Sequence, residues 1–235
     1  QGFDLQAPDD RLRSEPVRPV YDGKRVTIAL HVDDLLIVGE EEAGIQRVVD
    51  FVKEQFGTIT EQTGPELNYL GMHLSLAEEG AIKISMRKYV DEVLEQHPVS
   101  GTPAKTPALP ELFSVDEESP ALPPDQKEDF HSCVAKLLYL AKRIRPDILI
   151  AVTALTTRVR DPRVADKEKL DRLMRYLSGS KEVSLTLKCS DPPTLTQYVD
   201  ASYAVHKDMK SHTGSVITLG TGAVSASSTK QKIMT

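Results

Sequence analysis

Hydrophobic and polar positions change their period several times along the chain, and each change marks an element. Val26 to Val32 and Leu35 to Val38 are short, apolar, β-branched runs separated only by Asp33-Asp34. With no room for a loop, they predict a tight antiparallel hairpin with both carboxylates at its tip. Val17 to Tyr21 predicts a short strand turning at Asp22-Gly23, and residues 1–16, which lack periodicity, are expected to be irregular. Beyond the hairpin, Ile45, Val48, Val49, Val52 and Phe56 recur at helical spacing as far as Gly57. That is an amphipathic helix whose apolar stripe should pack on the sheet carrying the hairpin.

Ile59 to Thr63, Tyr69 to Leu76 and Ala81 to Ile84 read as strands, the last two joined across Glu78-Glu79-Gly80. A helix then starts at Ser85-Met86-Arg87-Lys88-Tyr89 with Val90, Val93 and Leu94 inside. Seven prolines between His97 and Pro124 (98, 103, 107, 110, 120, 123 and 124) rule out a regular element, because each removes a donor and restricts its predecessor. An extended acidic linker or a wrapping loop is expected there. Three helices follow: Asp125 to Arg143 burying Phe130, Val134, Leu137, Leu138 and Ala141; one opening at Pro146 with Ile148, Ala151, Val152 and Leu155; and Asp166 to Leu177, ending at Gly179. Leu185 to Leu187, Thr194 to Asp200, Gly214 to Leu219 and Ala223 to Ala226 predict a second group of strands, with Gly220-Thr221-Gly222 as a hairpin turn. The fold class is α+β.

The 235 residues, 40% of them hydrophobic, suffice for real cores. No apolar run approaches the roughly 18 residues of a membrane span, and the start at Gln1 without a Met or an apolar leader is expected of a fragment. Cys133 and Cys189 stand far apart with no metal-ligand spacing, so buried thiols in a reducing compartment are expected. The net charge of −6 argues against nucleic-acid binding only as an average, because the charge is segregated. Glu111 to Asp129 holds seven acids against Lys127. Lys136 to Arg163 holds seven bases (Lys136, Lys142, Arg143, Arg145, Arg158, Arg160 and Arg163) against Asp147 and Asp161. Such a basic stretch can meet phosphates through counterion release, or simply be a solvated helix face.

Asp33-Asp34 is a poor turn pair, since two-residue hairpin turns favour residues that tolerate positive φ. A local rule broken in an otherwise consistent stretch points to function, here to hard anionic oxygens of the kind Mg²⁺ prefers. A solvated polar turn is the competing reading. The wider box, His31-Val32-Asp33-Asp34-Leu35-Leu36-Ile37-Val38-Gly39, resembles the Y-V-D-D-x-L-I-x-G box of reverse transcriptases of copia-type LTR retrotransposons, with His31 in place of Tyr. The resemblance continues through Asn68-Tyr69-Leu70-Gly71-Met72, which is similar to a primer-grip hairpin, and through Ser85 to Tyr89 and Thr106-Pro107. It runs on through Leu137 to Ala141 with Arg145-Pro146-Asp147-Ile148, and through Arg172 to Gly179. Tyr198-Val199-Asp200-Ala201-Ser202, Lys210 to Gly214 and Ser228 to Gln231 resemble the opening of the ribonuclease H domain of these elements.

What the resemblance implies is specific. Residues 1–97 would be part of a reverse-transcriptase palm with the start of a thumb, 98–124 a linker, 125–182 thumb-like connecting helices, and 183–235 the first strands of an incomplete ribonuclease H-like sheet. Asp33 and Asp34 would be catalytic polymerase metal ligands and Asp200 the first carboxylate of a two-metal nuclease. His31, Leu70, Gly71, Met72, Lys142, Arg143 and Arg145 would contact primer or template. Mg²⁺ or Mn²⁺ is the implied cofactor of the parent enzyme, and an RNA/DNA primer-template with deoxynucleoside triphosphates its partners, with no membrane. The implied location is cytoplasmic, in virus-like particles, with the nucleus as the other compartment. The family's remaining polymerase and nuclease carboxylates are expected outside this stretch, so the chain alone is expected not to polymerise. A catalytically silent nucleic-acid-binding module and an inactive remnant of a transposable element are the other readings of the same residues. His206 and His212 are expected on the surface.

Overall fold

The computed structural model of the chain describes residues 20–21, 23–77 and 80–232. The expectations for residues 1–19, for the Glu78-Glu79 link and for the last three residues lie outside them. Two compact units divide the chain, Gln1–Gly64 and Pro65–Thr235.

In the first unit β1 (Val20–Tyr21), β2 (Lys24–His31) and β3 (Asp34–Gly39) form an antiparallel sheet in that order. α1 (Glu42–Phe56) lies on it as the periodicity predicts. Val26, Ile28 and Val48 are buried together, with Ile37 and Val52 packed beside them. Gly57 ends the helix with a positive φ of 83°, and its N–H donates to the Lys53 carbonyl. Phe56 corrects the expected core: it is exposed, because its place in the last turn carries it past the edge of a three-stranded sheet. Ile59 to Thr63 is not a strand and has no regular structure. One apolar residue among threonines and polar side chains gives such a run no face to bury.

The second unit contains, in chain order, β4 (Glu66–Tyr69), β5 (Met72–Leu76), β6 (Ile82–Ser85), α2 (Arg87–Gln96), α3 (Pro124–Arg143), a 3₁₀ turn (Pro146–Ile148), α4 (Leu149–Thr156), α5 (Val164–Gly179), β7 (Leu185–Cys189), β8 (Thr196–Ser202), β9 (His212–Thr218), β10 (Gly220–Thr221) and β11 (Ala223–Lys230). Tyr69 to Leu76 is therefore two strands and a turn, not one strand. β7 also leaves the group expected for it: Leu185 pairs with Ile84 and Leu187 with Ile82, giving a five-stranded sheet β10-β7-β6-β5-β4. β8, β9 and β11 make a separate antiparallel sheet in the order β11-β9-β8. The turn between β9 and β11 is seated against β7. A Cβ at Gly222, where φ is 79°, would lie 2.1 Å from the Thr186 carbonyl oxygen, so only glycine fits.

The helices meet in one core. Phe130, Leu137 and Leu140 of α3, Ile148 and Val152 after it, and Leu173 and Leu177 of α5 are fully buried, each such side chain contributing about 1.5–3 kcal/mol. Residues 97–123 take the wrapping form. Leu122 is buried, its N–H donates to the Pro162 carbonyl, and the Val164 N–H donates to Pro120. Cys133 is buried in this core, and burial pushes its thiol pKa up to about 12; Cys189 is exposed, against the expectation of two buried thiols. Among the described residues no helix is long and apolar enough to cross a membrane.

Candidate functional site

The hairpin places its carboxylates one position away from the sequence expectation. His31 pairs with Asp34, so the two-residue turn is Val32-Asp33 and Asp34 is already the first residue of β3. Val32 has a φ of 56°. That is the first of two turn positions, where a type II′ turn takes glycine, and a β-branched residue there is a true outlier. Val32 is 84% exposed, so no packing holds it in this conformation. His31, Asp33 and Asp34 are exposed as well, and the structure brings the three together at one hairpin tip. Their oxygens fit Mg²⁺ in kind, but two carboxylates do not enclose such an ion. Among the described residues no group of three or more His, Cys, Asp or Glu is arranged to hold a metal.

In the second unit a different hairpin tip gathers the residues assigned to a primer grip. Leu70 and Gly71 form the turn between β4 and β5 with φ of 50° and 71°, and Tyr69 pairs with Met72 across it. Two successive positive φ values are the hairpin geometry that matches strand twist, which explains why Gly71 is needed. Tyr139 of α3 clamps this turn: its hydroxyl donates to the Leu70 carbonyl at 2.7 Å. The Arg143 guanidinium lies 4.9 Å from the Tyr139 ring centroid, within cation–π range, and the Tyr89 ring packs on the same Tyr139 ring at 5.4 Å between centroids. Leu70, Gly71, Met72 and Arg143 are thereby brought together, with Lys142 exposed beside Arg143. Tyr139 is the residue that sequence reasoning left without a role; it stood within a motif that reads as apolar helix core.

Arg145 departs from its expected role. It is fully buried, its Nε and Nη2 donate to the two Asp147 oxygens at 2.9 and 2.8 Å, and Nη1 donates to the Ser180 carbonyl at 3.0 Å. Burial alone would raise the Asp147 carboxyl, but the Arg145 fork and the Tyr176 hydroxyl, 2.9 Å away, outweigh it and hold the carboxyl below its ordinary value. A guanidinium so enclosed cannot meet a phosphate. Arg158 is likewise spent on Asp166, and Arg163 on the carbonyls of Glu117 and Ser119. The basic stretch is partly an internal scaffold, and its exposed bases are Lys142 and Arg143 at the end of α3 and Arg160.

Asp200 is exposed on β8, the edge strand of its sheet, where its Oδ1 accepts the Ala201 N–H at 2.9 Å. Among the described residues no cluster of metal-ligand side chains includes it. His206 and His212 are not on the surface. They are 6% and 4% exposed, hydrogen-bonded to each other, and both ring-packed against Phe113 of the wrapping segment. His206 also borders a cleft of ≈ 290 Å³ with Arg158, Lys169, Asp208 and Lys230. Two histidines six residues apart carry no local signal of this, since Phe113 comes from a distant segment.

Known proteins similar to this chain agree with the motif resemblance. The Ty5-1 transposon protein of Saccharomyces cerevisiae is 29% identical over 224 residues, covering 94% of this chain and 69% of that protein. The retrovirus-related Pol polyprotein from transposon TNT 1-94 of Nicotiana tabacum is 31% identical over 88% of this chain, and that from transposon RE1 of Arabidopsis thaliana 30% identical over 89%. The chain spans only 16% and 14% of those two polyproteins. No protein-family model matches, and no solved structure matches. The chain is a homologue of the Pol polyproteins of copia-type retrotransposons, related to them over most of its own length.

Proposed function

We infer that the chain is the part of a retrotransposon Pol polyprotein that carries the second and third carboxylates of an RNA-directed DNA polymerase palm, followed by the start of a ribonuclease H domain. The observation carrying this reading is the exposed Asp33-Asp34 pair at a hairpin turn whose first residue, Val32, has a positive φ. Residues held in sparsely populated backbone regions cluster at working sites, and that association motivates the reading. In this reading Asp33 and Asp34 contribute oxygens to a Mg²⁺ or Mn²⁺ site completed by ligands beyond these two. Bound there, such ions would supply activation of a primer 3′-hydroxyl and charge compensation on the leaving pyrophosphate. His31 flanks the primer end. Leu70, Gly71 and Met72, clamped by Tyr139, grip the primer backbone, and Lys142 and Arg143 neutralise phosphates. Asp200 serves the nuclease. Primer-template and deoxynucleoside triphosphates are the partners, and cytoplasmic virus-like particles or the nucleus the setting.

The test is a chimera in which this chain replaces the matching segment of the tobacco TNT 1-94 polyprotein, assayed for Mg²⁺-dependent primer extension. Extension that falls at least about 100-fold in Asp33→Asn is expected, since a lost metal ligand removes electrostatic stabilisation of that order. A folded chimera that binds primer-template but extends nothing, or an Asp33→Asn variant of full activity, overturns the reading. The first of these outcomes would favour the second reading, a non-catalytic nucleic-acid-binding module, to which the two-carboxylate donor set among the described residues lends weight.

A further inference from the structure

The wrapping segment between α2 and α3 contains Lys105-Thr106-Pro107, and the Thr106 hydroxyl rests on an arginine. Arg172 of α5 donates from Nη2 to Thr106 Oγ1 at 2.9 Å, and that hydroxyl donates to the Ala108 carbonyl at 2.9 Å. One edge of a guanidinium offers Nε and Nη2 as a two-pronged donor. Arg145 has that edge filled, with the two prongs 2.9 and 2.8 Å from the oxygens of a carboxylate. Arg172 has the same edge half filled. A neutral hydroxyl occupies Nη2, while Nε is closed off from water and has no hydrogen-bond partner among the described residues. Arg175, three residues on, has its Nε in the same condition, and it too lies under this segment: a Cβ on Gly101 would stand 3.5 Å from its Nη1.

Buried donors without acceptors cost free energy, and a cationic edge half satisfied by a neutral group is built for an anion with more than one oxygen. We propose that Thr106 is a phosphorylation site whose phosphate is received by Arg172 and Arg175. Pro107 names the enzyme class, a proline-directed protein kinase using ATP; it also biases Thr106 away from helical backbone. Thr106 is exposed, in a stretch without helix or strand that a kinase can take up extended. In the transfer Thr106 Oγ1 bonds to the γ-phosphorus, the bond from that phosphorus to the bridging oxygen breaks, ADP leaves, and the hydroxyl proton passes to a base of the kinase. The product carries a charge of about −1.5 to −2 with three acceptor oxygens and pins the wrapping segment to α5.

The experiment treats the full 235-residue chain with ATP and a proline-directed kinase, locates the phosphate by peptide mass, and follows its removal by a phosphatase. One phosphate at Thr106 is expected, absent in Thr106→Val, and removed roughly tenfold more slowly from the native chain than from Arg172→Gln, as loss of a charge-assisted contact implies. Thr102-Pro103, four residues earlier and exposed, provides an internal comparison. Phosphate only at Thr102, no phosphate on a folded chain whose isolated Gly101–Leu112 peptide is modified, or equal removal rates in Arg172→Gln, each overturns the proposal. Circular dichroism of Arg172→Gln before treatment, together with Arg175→Gln as a second variant, keeps a folding defect from standing in for a result.

Discussion

The Nε2 of His206 lies 3.1 Å from the Nδ1 of His212, and the far nitrogen of His212 lies 2.6 Å from the Ser228 hydroxyl. Ser228 is 2.9 Å from the Thr153 hydroxyl, which is itself back-bonded to the Leu149 carbonyl at 2.9 Å. Thr153 has one proton and gives it to its own helix, so Ser228 must donate to Thr153 and His212 Nε2 must donate to Ser228. His212 Nδ1 is left as an acceptor, and His206 Nε2 donates to it. The chain of bonds is complete only with His212 neutral. Burial and the neighbouring His206 lower the His212 pKa. Burial, then Lys230, lower that of His206 against the opposing pull of Asp208, which is itself held by Lys230 and Lys210. With both folded values below the ordinary 6.5, the unfolded chain takes up protons first as pH falls. Stability is therefore full above about pH 6.5 and declines below it, by at most about 1.4 kcal/mol per pH unit for each histidine, levelling off below the folded pKa. Urea unfolding from pH 8 to 5 should show that decline, and His206→Gln with His212→Gln should flatten it. An unchanged slope in the double variant would refute the arrangement.

Arg145 and its neighbours on α3 separate structural from surface charge. Arg145→Lys keeps the charge but loses the fork on Asp147, leaving a buried pair broken at a cost of about 3 kcal/mol or more in stability. Lys142→Ala and Arg143→Ala should leave stability within about 0.5 kcal/mol. In the proposed reading each also reduces the salt dependence of primer-template binding by roughly one unit of slope. Denaturant midpoints and binding titrations at several salt concentrations measure the two effects. A stable Arg145→Lys with weakened duplex binding would reverse the assignment.

Tyr139→Phe removes one hydroxyl and nothing else. Its bond to the Leu70 carbonyl holds a turn in which Leu70, a non-glycine residue, sits at positive φ. The expected loss is about 1 kcal/mol of stability. Faster amide exchange at Gly71 and Met72 should accompany it, with exchange in α5 unchanged. If exchange rises evenly across the unit, Tyr139 is ordinary core and not a clamp.

Where local pattern decides structure, the elements were readable. Of the expected stripe Phe130, Val134, Leu137, Leu138 and Ala141, all but the half-buried Leu138 are buried, and Leu170, Leu173, Met174 and Leu177, which recur at helical spacing in α5, are buried too. What was not readable depends on partners distant in sequence. Leu185 and Leu187 alternate like any strand, and only pairing with β6 a hundred residues earlier assigns them to a sheet. Arg145 is indistinguishable from Lys142 as a basic residue until Asp147 and Ser180 close over it. The Leu70-Gly71 turn lies inside an apolar run without the usual Asn-Gly signal, so it reads as continuous strand. At the hairpin the acidic pair was visible, but the turn was placed one residue late, because valine is the last residue that turn chemistry would select.

That misplacement yields the last prediction. A valine at φ 56° carries steric strain of order 1–3 kcal/mol, and its side chain, 84% exposed, gains little packing in return. Val32→Gly removes the strain, against about 0.5–1 kcal/mol of added unfolded-state entropy. The net expectation is a first unit more stable by about 1 kcal/mol, read as a higher urea midpoint. Val32→Ala, still strained but no longer β-branched, should gain less. Were the turn merely a solvated loop, Val32→Gly would destabilise by its entropy cost alone, so the sign of the change distinguishes the two. In the tobacco chimera the same variant should lose primer extension while gaining stability, because relaxing the turn lets Asp33 wander from the position that the strained backbone fixes. Gain in both would mean that the strain has no part in aligning the carboxylates.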